Sequence, residues 1–316
     1  MLGRFTWKAM GSPCALFLYA PGRTELDRAA ERAQALVAEL ERKYSRYRDD
    51  SVLSAINRSA GDPAGVEVDE ETALLLDYAD TAHRHSGGRF DATSGTLRRV
   101  WNFRSGRVPS RGEVGEALRC VGWAKLRWER PRVALPVAGM ELDFGGFVKE
   151  YTVDRVTDLC RELGVRHGMV DLGGDLRAIG PHPDGRPWRV GIRDPRAPER
   201  ALASVALRWE ALATSGDYER CMVVDGVRYS HILDPRTGWP VSGLASASVV
   251  AEQCLVAGTA TTVALLSGER GGARFLDGLG LPNLRVDSRG RLSGSLLASA
   301  GSSGRFAAGD RPGPAA

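Results

Sequence analysis

Cys221-Met222-Val223-Val224-Asp225-Gly226, continuing as Val227-Arg228-Tyr229-Ser230-His231-Ile232-Leu233-Asp234-Pro235-Arg236-Thr237-Gly238, reads as an antiparallel hairpin. Asp-Gly between two apolar, β-prone runs is a strong hairpin signal. Thr214-Ser215-Gly216-Asp217-Tyr218, just upstream, is expected to make a polar turn at one end of it. His231 stands at the other end, within a few residues of Asp234. A single His in a strand is ordinarily a packed or surface residue. The density of hydroxyl, imidazole, carboxylate and guanidinium groups here also allows a functional reading.

Around this hairpin, strand signals cover Gly168 to Asp171, Leu176 to Ile179, Trp188 to Ile192, Leu202 to Trp209 and Ala245 to Val250. Phe5 to Tyr19 reads as a strand pair broken at Gly11-Ser12-Pro13. Helical periodicity covers Thr24 to Tyr44, Glu70 to His85, Gly146 to Leu163 and Cys254 to Leu266. Thr24, with Asp27 three residues on, resembles a helix cap, and Ser51 is placed to cap a short helix to Ile56. Turns rather than helices join most of the strands. The expected fold class is therefore α+β, with antiparallel sheets packed against helices rather than a doubly wound parallel sheet.

The chain has 316 residues, 43% hydrophobic, which supports a substantial core. Residues 1–297 are expected to form one intertwined domain, and the Gly/Ser/Ala/Pro-rich stretch 298–316 a disordered tail. A net charge of +4, with interleaved signs and no basic stripe, argues against nucleic-acid binding but suits an anionic small ligand. Five widely spaced cysteines give neither a disulfide framework nor a zinc site. No stretch approaches the ~20 apolar residues of a membrane span, and a cytoplasmic location is expected.

Three polar turns stand out. Asp143-Phe144-Gly145-Gly146 runs straight into the helix carrying Lys149, so free backbone N–H groups and the helix dipole face whatever lies ahead of it. A Lys in a first turn is disfavoured unless an anion is near. An ordinary strand–helix turn explains the glycines equally well. Asp171-Leu172-Gly173-Gly174-Asp175 and Phe90-Asp91-Ala92-Thr93-Ser94-Gly95 are the others. Tyr47 between two arginines could stack on a flat ring or pair with a neighbouring guanidinium, and Met10 could face a ring or belong to the core.

Taken in order, these segments resemble the FAD:protein FMN transferase (ApbE-type) family. Ala9-Met10-Gly11-Ser12, Ser45 to Ser54, Phe90-Asp91-Ala92-Thr93, Leu142 to Lys149, Val153-Asp154, Val170 to Asp175, Pro187 to Ile192, Thr214 to Tyr218 and Ser230 to Gly238 carry the resemblance, up to about residue 290. It implies a flavin-transferase, T-fold-like architecture. It also implies an enzyme that cleaves FAD, attaches FMN through a phosphoester to a Thr or Ser of an acceptor protein, releases AMP and requires Mg²⁺. By the family pattern Met10, Tyr47, Phe90, Asp91, Asp143, Lys149 and Ile232 would line the FAD site. Gly146 (through its carbonyl) and Thr262 would hold the metal, and His231 would act in transfer.

One departure bears on that pattern. The family carries an Asp four residues before the Thr; here Gly258 stands there, so a carboxylate is missing. Glu252 and Asp234 are the candidates considered to replace it. Val148 and Glu150 also replace the small residues common around the Lys. The alternatives are an FAD-binding protein with little transfer activity, or an FAD pyrophosphatase.

Overall fold

β1 (Leu2–Ala9) and β2 (Ser12–Tyr19) open the chain as a hairpin whose register pairs Ala9 with Ser12 across Met10-Gly11. Both turn residues have positive φ, 51° and 70°, as a two-residue hairpin turn requires. A Met in that conformation is unusual. The chain continues through α1 (Arg23–Tyr44), α2 (Val52–Arg58), β3 (Val66–Glu67) and α3 (Glu70–His85). A 3₁₀ segment, Ala92–Arg99, precedes α4 (Arg111–Leu118), β4 (Arg127–Glu129), β5 (Arg132–Ala134) and α5 (Val148–Glu162). Then come β6 (Gly168–Leu172), β7 (Asp175–Gly180), β8 (Trp188–Arg193), β9 (Ala201–Leu207), β10 (Ala211–Gly216), β11 (Cys221–Val224), β12 (Val227–Ser230) and β13 (Leu244–Ala251). The last elements are α6 (Cys254–Leu266), α7 (Gly268–Leu279), β14 (Asn283–Asp287) and β15 (Leu292–Ser293). The structure, a computed structural model, describes residues 1–197, 199–218 and 220–297; the tail expected to be disordered lies outside them.

The main sheet has the order β1-β2-β6-β7-β10-β13-β14-β15, every neighbouring pair antiparallel. The α+β expectation therefore stands. Side chains alternate between two buried faces, as the period of two dictates. Leu16, Leu18, Val170, Leu172, Ala213, Ala247 and Val249 face α1, α5 and α6, packing with Val37, Val153, Val156, Ala257 and Ala260. Phe17, Met169, Leu212 and Val250 point the other way, onto Trp188, Ile192 and Val205 of the β8–β9 pair. Leu16 and Leu18 are fully buried, each stabilising the fold by about 1.5–3 kcal/mol.

Three local expectations are corrected. The cap of α1 is Gly22, without a side-chain bond, and Thr24 already lies inside the helix. Thr214-Ser215-Gly216 is not a turn of the hairpin but the end of β10, paired with β13 through Thr214↔Ser248 and Gly216↔Ser246. Leu202–Trp209 is shortened to β9, the chain re-entering the main sheet at Ala211. The Asp225-Gly226 hairpin forms as expected, with β11 and β12 paired Cys221↔Ser230 and φ of 50° and 75° at the turn. Ser51 caps α2 by accepting the Ser54 N–H at 2.9 Å.

Candidate active site

Burial of two phenylalanines creates the first part of the site. Phe144 and Phe147 are fully buried, their rings 5.0 Å apart, with Tyr44 and Phe90 against them. Gly145 and Gly146 between them are thereby pushed to the surface at the start of α5. Asn57 of α2 grips Leu142 in both directions, donating to its carbonyl at 3.0 Å and accepting its N–H at 2.7 Å. The Asp143 N–H donates to the Ala92 carbonyl at 2.8 Å. Phe147 offers no side-chain cap to α5. Among the described residues, no backbone bond engages the Gly146 N–H or its carbonyl.

Asp143 is the hub of the polar rim. Its Oδ1 accepts the Gly145 N–H at 2.8 Å; its Oδ2 lies 3.2 Å from Arg46 and 3.4 Å from Arg98. Phe90 forms the floor: its ring lies 3.8 Å from where a side chain on Gly146 would begin. Tyr47 is 78% exposed beside this rim, with the Arg46 guanidinium 5.1 Å from its ring centre. Asp91 turns inward instead. Its carboxylate accepts from the Thr93 N–H and hydroxyl and from the Trp123 N–H, at 2.6–2.8 Å, so it holds the loop rather than facing the opening.

The second part lies behind the glycines, where α5 and α6 meet the ends of β7 and β10. The Lys149 ammonium forms an ion pair with Asp175, donates to the Leu172 carbonyl at 3.3 Å, and lies 3.7 Å from Glu150 Oε1. Burial alone would pull this lysine down, but the Asp175 and Glu150 carboxylates hold it above its ordinary value. Asp175 Oδ1 accepts the Thr214 N–H at 3.0 Å. Ser215 shares hydroxyl bonds with Thr261 at 2.8 Å and Thr262 at 3.3 Å. Glu150 is 9% exposed, and its Oε2 has no hydrogen-bond partner. Burial, first, and the neighbouring Asp175 raise its pKa, while Lys149 opposes that.

Gly258 is explained by this neighbour. A Cβ added there would lie 2.5 Å from Glu150 Cγ and 3.3 Å from Glu150 Oε1. Neither carboxylate considered from sequence occupies that position. Asp234 is spent on its own turn, accepting from Arg236 through backbone and guanidinium at 2.6–2.9 Å. Glu252 is exposed. Among the described residues no three His, Cys, Asp or Glu side chains gather as a metal cage. The oxygen set of Glu150, Thr262 and the Gly146 carbonyl is instead hard and sparsely charged, which suits Mg²⁺ chemistry.

His231 follows β12. Its backbone N–H and its Nδ1 both lie 3.0 Å from the Arg220 carbonyl. A carbonyl only accepts, so Nδ1 carries the proton and Nε2 is left as an acceptor. Burial, then Arg220 and Arg98, lower its pKa to about 4, so the ring is neutral at pH 7. The Arg220 guanidinium also lies 3.7 Å from where a side chain on Gly11 would begin, which links His231 to the Met10-Gly11 turn. The Met10 N–H is fixed by Glu41 at 2.7 Å. Ile232 is half-buried against the main core, its N–H held by the Ser230 hydroxyl at 3.0 Å.

The structure thus gathers Gly146, Asp143 and Phe90 at the start of α5, with Lys149 behind them; Thr262 is linked to Lys149 through Ser215, Thr214 and Asp175, and Arg220 lies beside both His231 and the Met10-Gly11 turn. Sequence reasoning did not single out Arg98, Arg220 or Asn57, and no motif marks them among many arginines. Asp154 lies in the Val153-Asp154 segment of α5. It accepts the Cys254 and Leu255 N–H groups at 2.9 Å each, capping α6 from α5, and pairs with Arg177 at 3.0 Å.

The sequence model of the ApbE family matches residues 10–284. The chain is 31% identical to a FAD:protein FMN transferase of Vibrio cholerae, over 84% of this chain and 78% of the relative. It is 33% identical to one of Treponema pallidum, over 81% and 79%. The crystal structure of an ApbE protein from Thermotoga maritima superposes with a TM-score of 0.87 at 31% identity, covering 95% of this chain and 98% of that one. The flavin transferase ApbE of Vibrio cholerae superposes at 0.84 with 27% identity, over 93% and 97%. The architecture is that of these flavin transferases.

Proposed function

This chain belongs to the ApbE family, and we propose that it is a FAD:protein FMN transferase that breaks the diphosphate of FAD and joins FMN to a hydroxyl of an acceptor protein. The observation that carries this reading is His231 with Nδ1 held on the Arg220 carbonyl at 3.0 Å, which leaves Nε2 as the acceptor, while Arg98, a cation that helps keep the ring neutral, reaches Asp143 at the start of α5.

The acceptor's Thr or Ser oxygen attacks the phosphorus on the FMN side. The bond from that phosphorus to the bridging oxygen breaks, and AMP departs with the bonding electrons. The hydroxyl proton passes to His231 Nε2, a general-base contribution of roughly 10²–10⁴-fold. Arg46, Arg98, Arg220 and Lys149 supply positive charge for the diphosphate, and the free amide at Gly146 can donate to one of its oxygens. Phe90, Tyr47, Met10 and Ile232 offer flat or soft surfaces to the flavin and adenine rings. Thr262 and the Gly146 carbonyl would hold Mg²⁺, which when bound would supply Lewis-acid stabilisation of charge on the phosphates.

Residues 1–297 are read as one unit, because the β1–β2 turn and α6 both contribute to the proposed site. No helix among the described residues is long and apolar enough to cross a membrane, and five unpaired cysteines favour a reducing, cytoplasmic setting.

The test is to incubate the pure protein with FAD, Mg²⁺ and a candidate acceptor domain, then follow flavin fluorescence on the denatured acceptor and AMP in solution. Labelled acceptor supports transfer. AMP without labelling makes the protein a pyrophosphatase, and tight FAD binding with neither product makes it a binding protein.

A further inference from the structure

Glu150 and Gly258 are a complementary pair across the α5–α6 contact. The Glu150 side chain fills the volume directly over Gly258, where any larger residue would collide with it. We propose that Glu150 is the acidic ligand of the catalytic divalent cation in this chain, delivered from α5 in place of a carboxylate on α6. This assignment rests on the transferase reading above.

Three observations carry it. Glu150 Oε2 is a buried carboxyl oxygen with no hydrogen-bond partner, a costly state for an ionised group that a proton or a cation relieves. The nearest ammonium does not satisfy it, because Lys149 pairs with Asp175 and stands 3.7 Å from Glu150 Oε1. The position is also right: Gly258 is one turn before Thr262 on the same face of α6, and Glu150 is four residues after Gly146 at the start of α5. Contacts run in a chain from Glu150 to Lys149, Asp175, Thr214, Ser215 and Thr262, which links the carboxyl group to the hydroxyls of α6.

A cation bound there also removes the ground for a storage protein, since the charge missing at Gly258 is restored from another helix. It further alters what Gly258→Asp alone does. A carboxylate restored at that position would by its charge favour a metal; the 2.5 Å approach to Glu150 Cγ predicts instead a collision and a lower melting temperature.

Mn²⁺ serves as the probe, titrated by calorimetry and by its paramagnetic resonance signal in the presence of FAD. The proteins compared are the wild type, Glu150→Gln, Gly258→Asp and the double variant Glu150→Ala/Gly258→Asp, each also melted by circular dichroism. Glu150→Gln is expected to weaken Mn²⁺ binding by about tenfold or more. Gly258→Asp alone is expected to melt early, and the double variant to recover both melting temperature and Mn²⁺ affinity. Mn²⁺ affinity in Glu150→Gln within about twofold of wild type overturns the assignment. If Glu150→Gln itself melts early, the double variant decides: wild-type folding with no recovered Mn²⁺ affinity overturns it. Unaltered Mn²⁺ binding in the variants, with a wild type that labels an acceptor, removes Glu150 alone. A wild type that binds no Mn²⁺ beside FAD removes both Glu150 and the metal dependence of the transferase reading.

Discussion

His231 is where charge, tautomer and position combine. The Arg220 carbonyl fixes the proton on Nδ1, and burial with Arg220 and Arg98 keeps Nε2 unprotonated down to about pH 4. An NMR titration of the imidazole protons should therefore show a midpoint well below the ordinary value of about 6.5. Arg220→Ala should move that midpoint upward, because it removes a cation; an unchanged midpoint would leave burial and Arg98 as the causes. The unfolded chain takes up this proton near pH 6.5 and the folded chain only near 4. The residue's contribution to stability is thus complete above about pH 6.5 and is lost as the pH falls towards 4. His231→Ala should bind FAD normally and lose roughly 10²–10⁴-fold in transfer; full-rate transfer would exclude the ring from the proton path. His231, Lys149 and Asp143 stood out in the sequence because they lie in or beside polar turns, whereas Thr262, in the largely apolar α6, came only from the family resemblance. Glu150 was not legible, since only the third dimension lays it against Gly258, 108 positions later.

The α5–α6 junction is the element on which the polar cluster depends. Asp154 caps α6 from α5 and pairs with a nearly buried Arg177, so it sets the spacing between Glu150 on one helix and Thr262 on the other. Asp154→Ala leaves two amides uncapped and Arg177, among the described residues, with only Asp158 at 3.6 Å. A loss of about 2–4 kcal/mol is expected, measured by urea denaturation; a change below about 0.5 kcal/mol would show the cap to be dispensable. Such a cap is invisible locally, because the two halves lie 100 residues apart. Elements set by local pattern were legible: α3 begins at Glu70 and ends at His85 as its periodicity predicts. Thr214-Ser215-Gly216 was misread because three small polar residues look like a turn, whereas pairing with β13 makes them a strand end. That placement brings the Ser215 hydroxyl to Thr262.

At the scale of the whole molecule, one antiparallel sheet carries helices on one face and a strand pair on the other, and the site opens where loops from both ends of the chain converge. The antiparallel class was legible from turn-joined strands; the strand order was not, because partners such as β2 and β6 are separated by three long helices. A net charge of +4 gives no hint that Arg46 and Arg98 both reach Asp143, or that Arg98 and Arg220 both act on His231. Raising ionic strength from about 0.05 to 0.5 M should weaken FAD binding several-fold by calorimetry and leave riboflavin binding unchanged; equal effects on both would place the diphosphate elsewhere. The most direct measurement is the stoichiometry of a single turnover with FAD, Mg²⁺ and an acceptor domain, read by intact mass of the acceptor and by AMP released. One FMN, less water, gained per acceptor and one AMP freed per FMN transferred is the expected result. Flavin that never joins the acceptor, whether or not FAD is cleaved, would contradict the account.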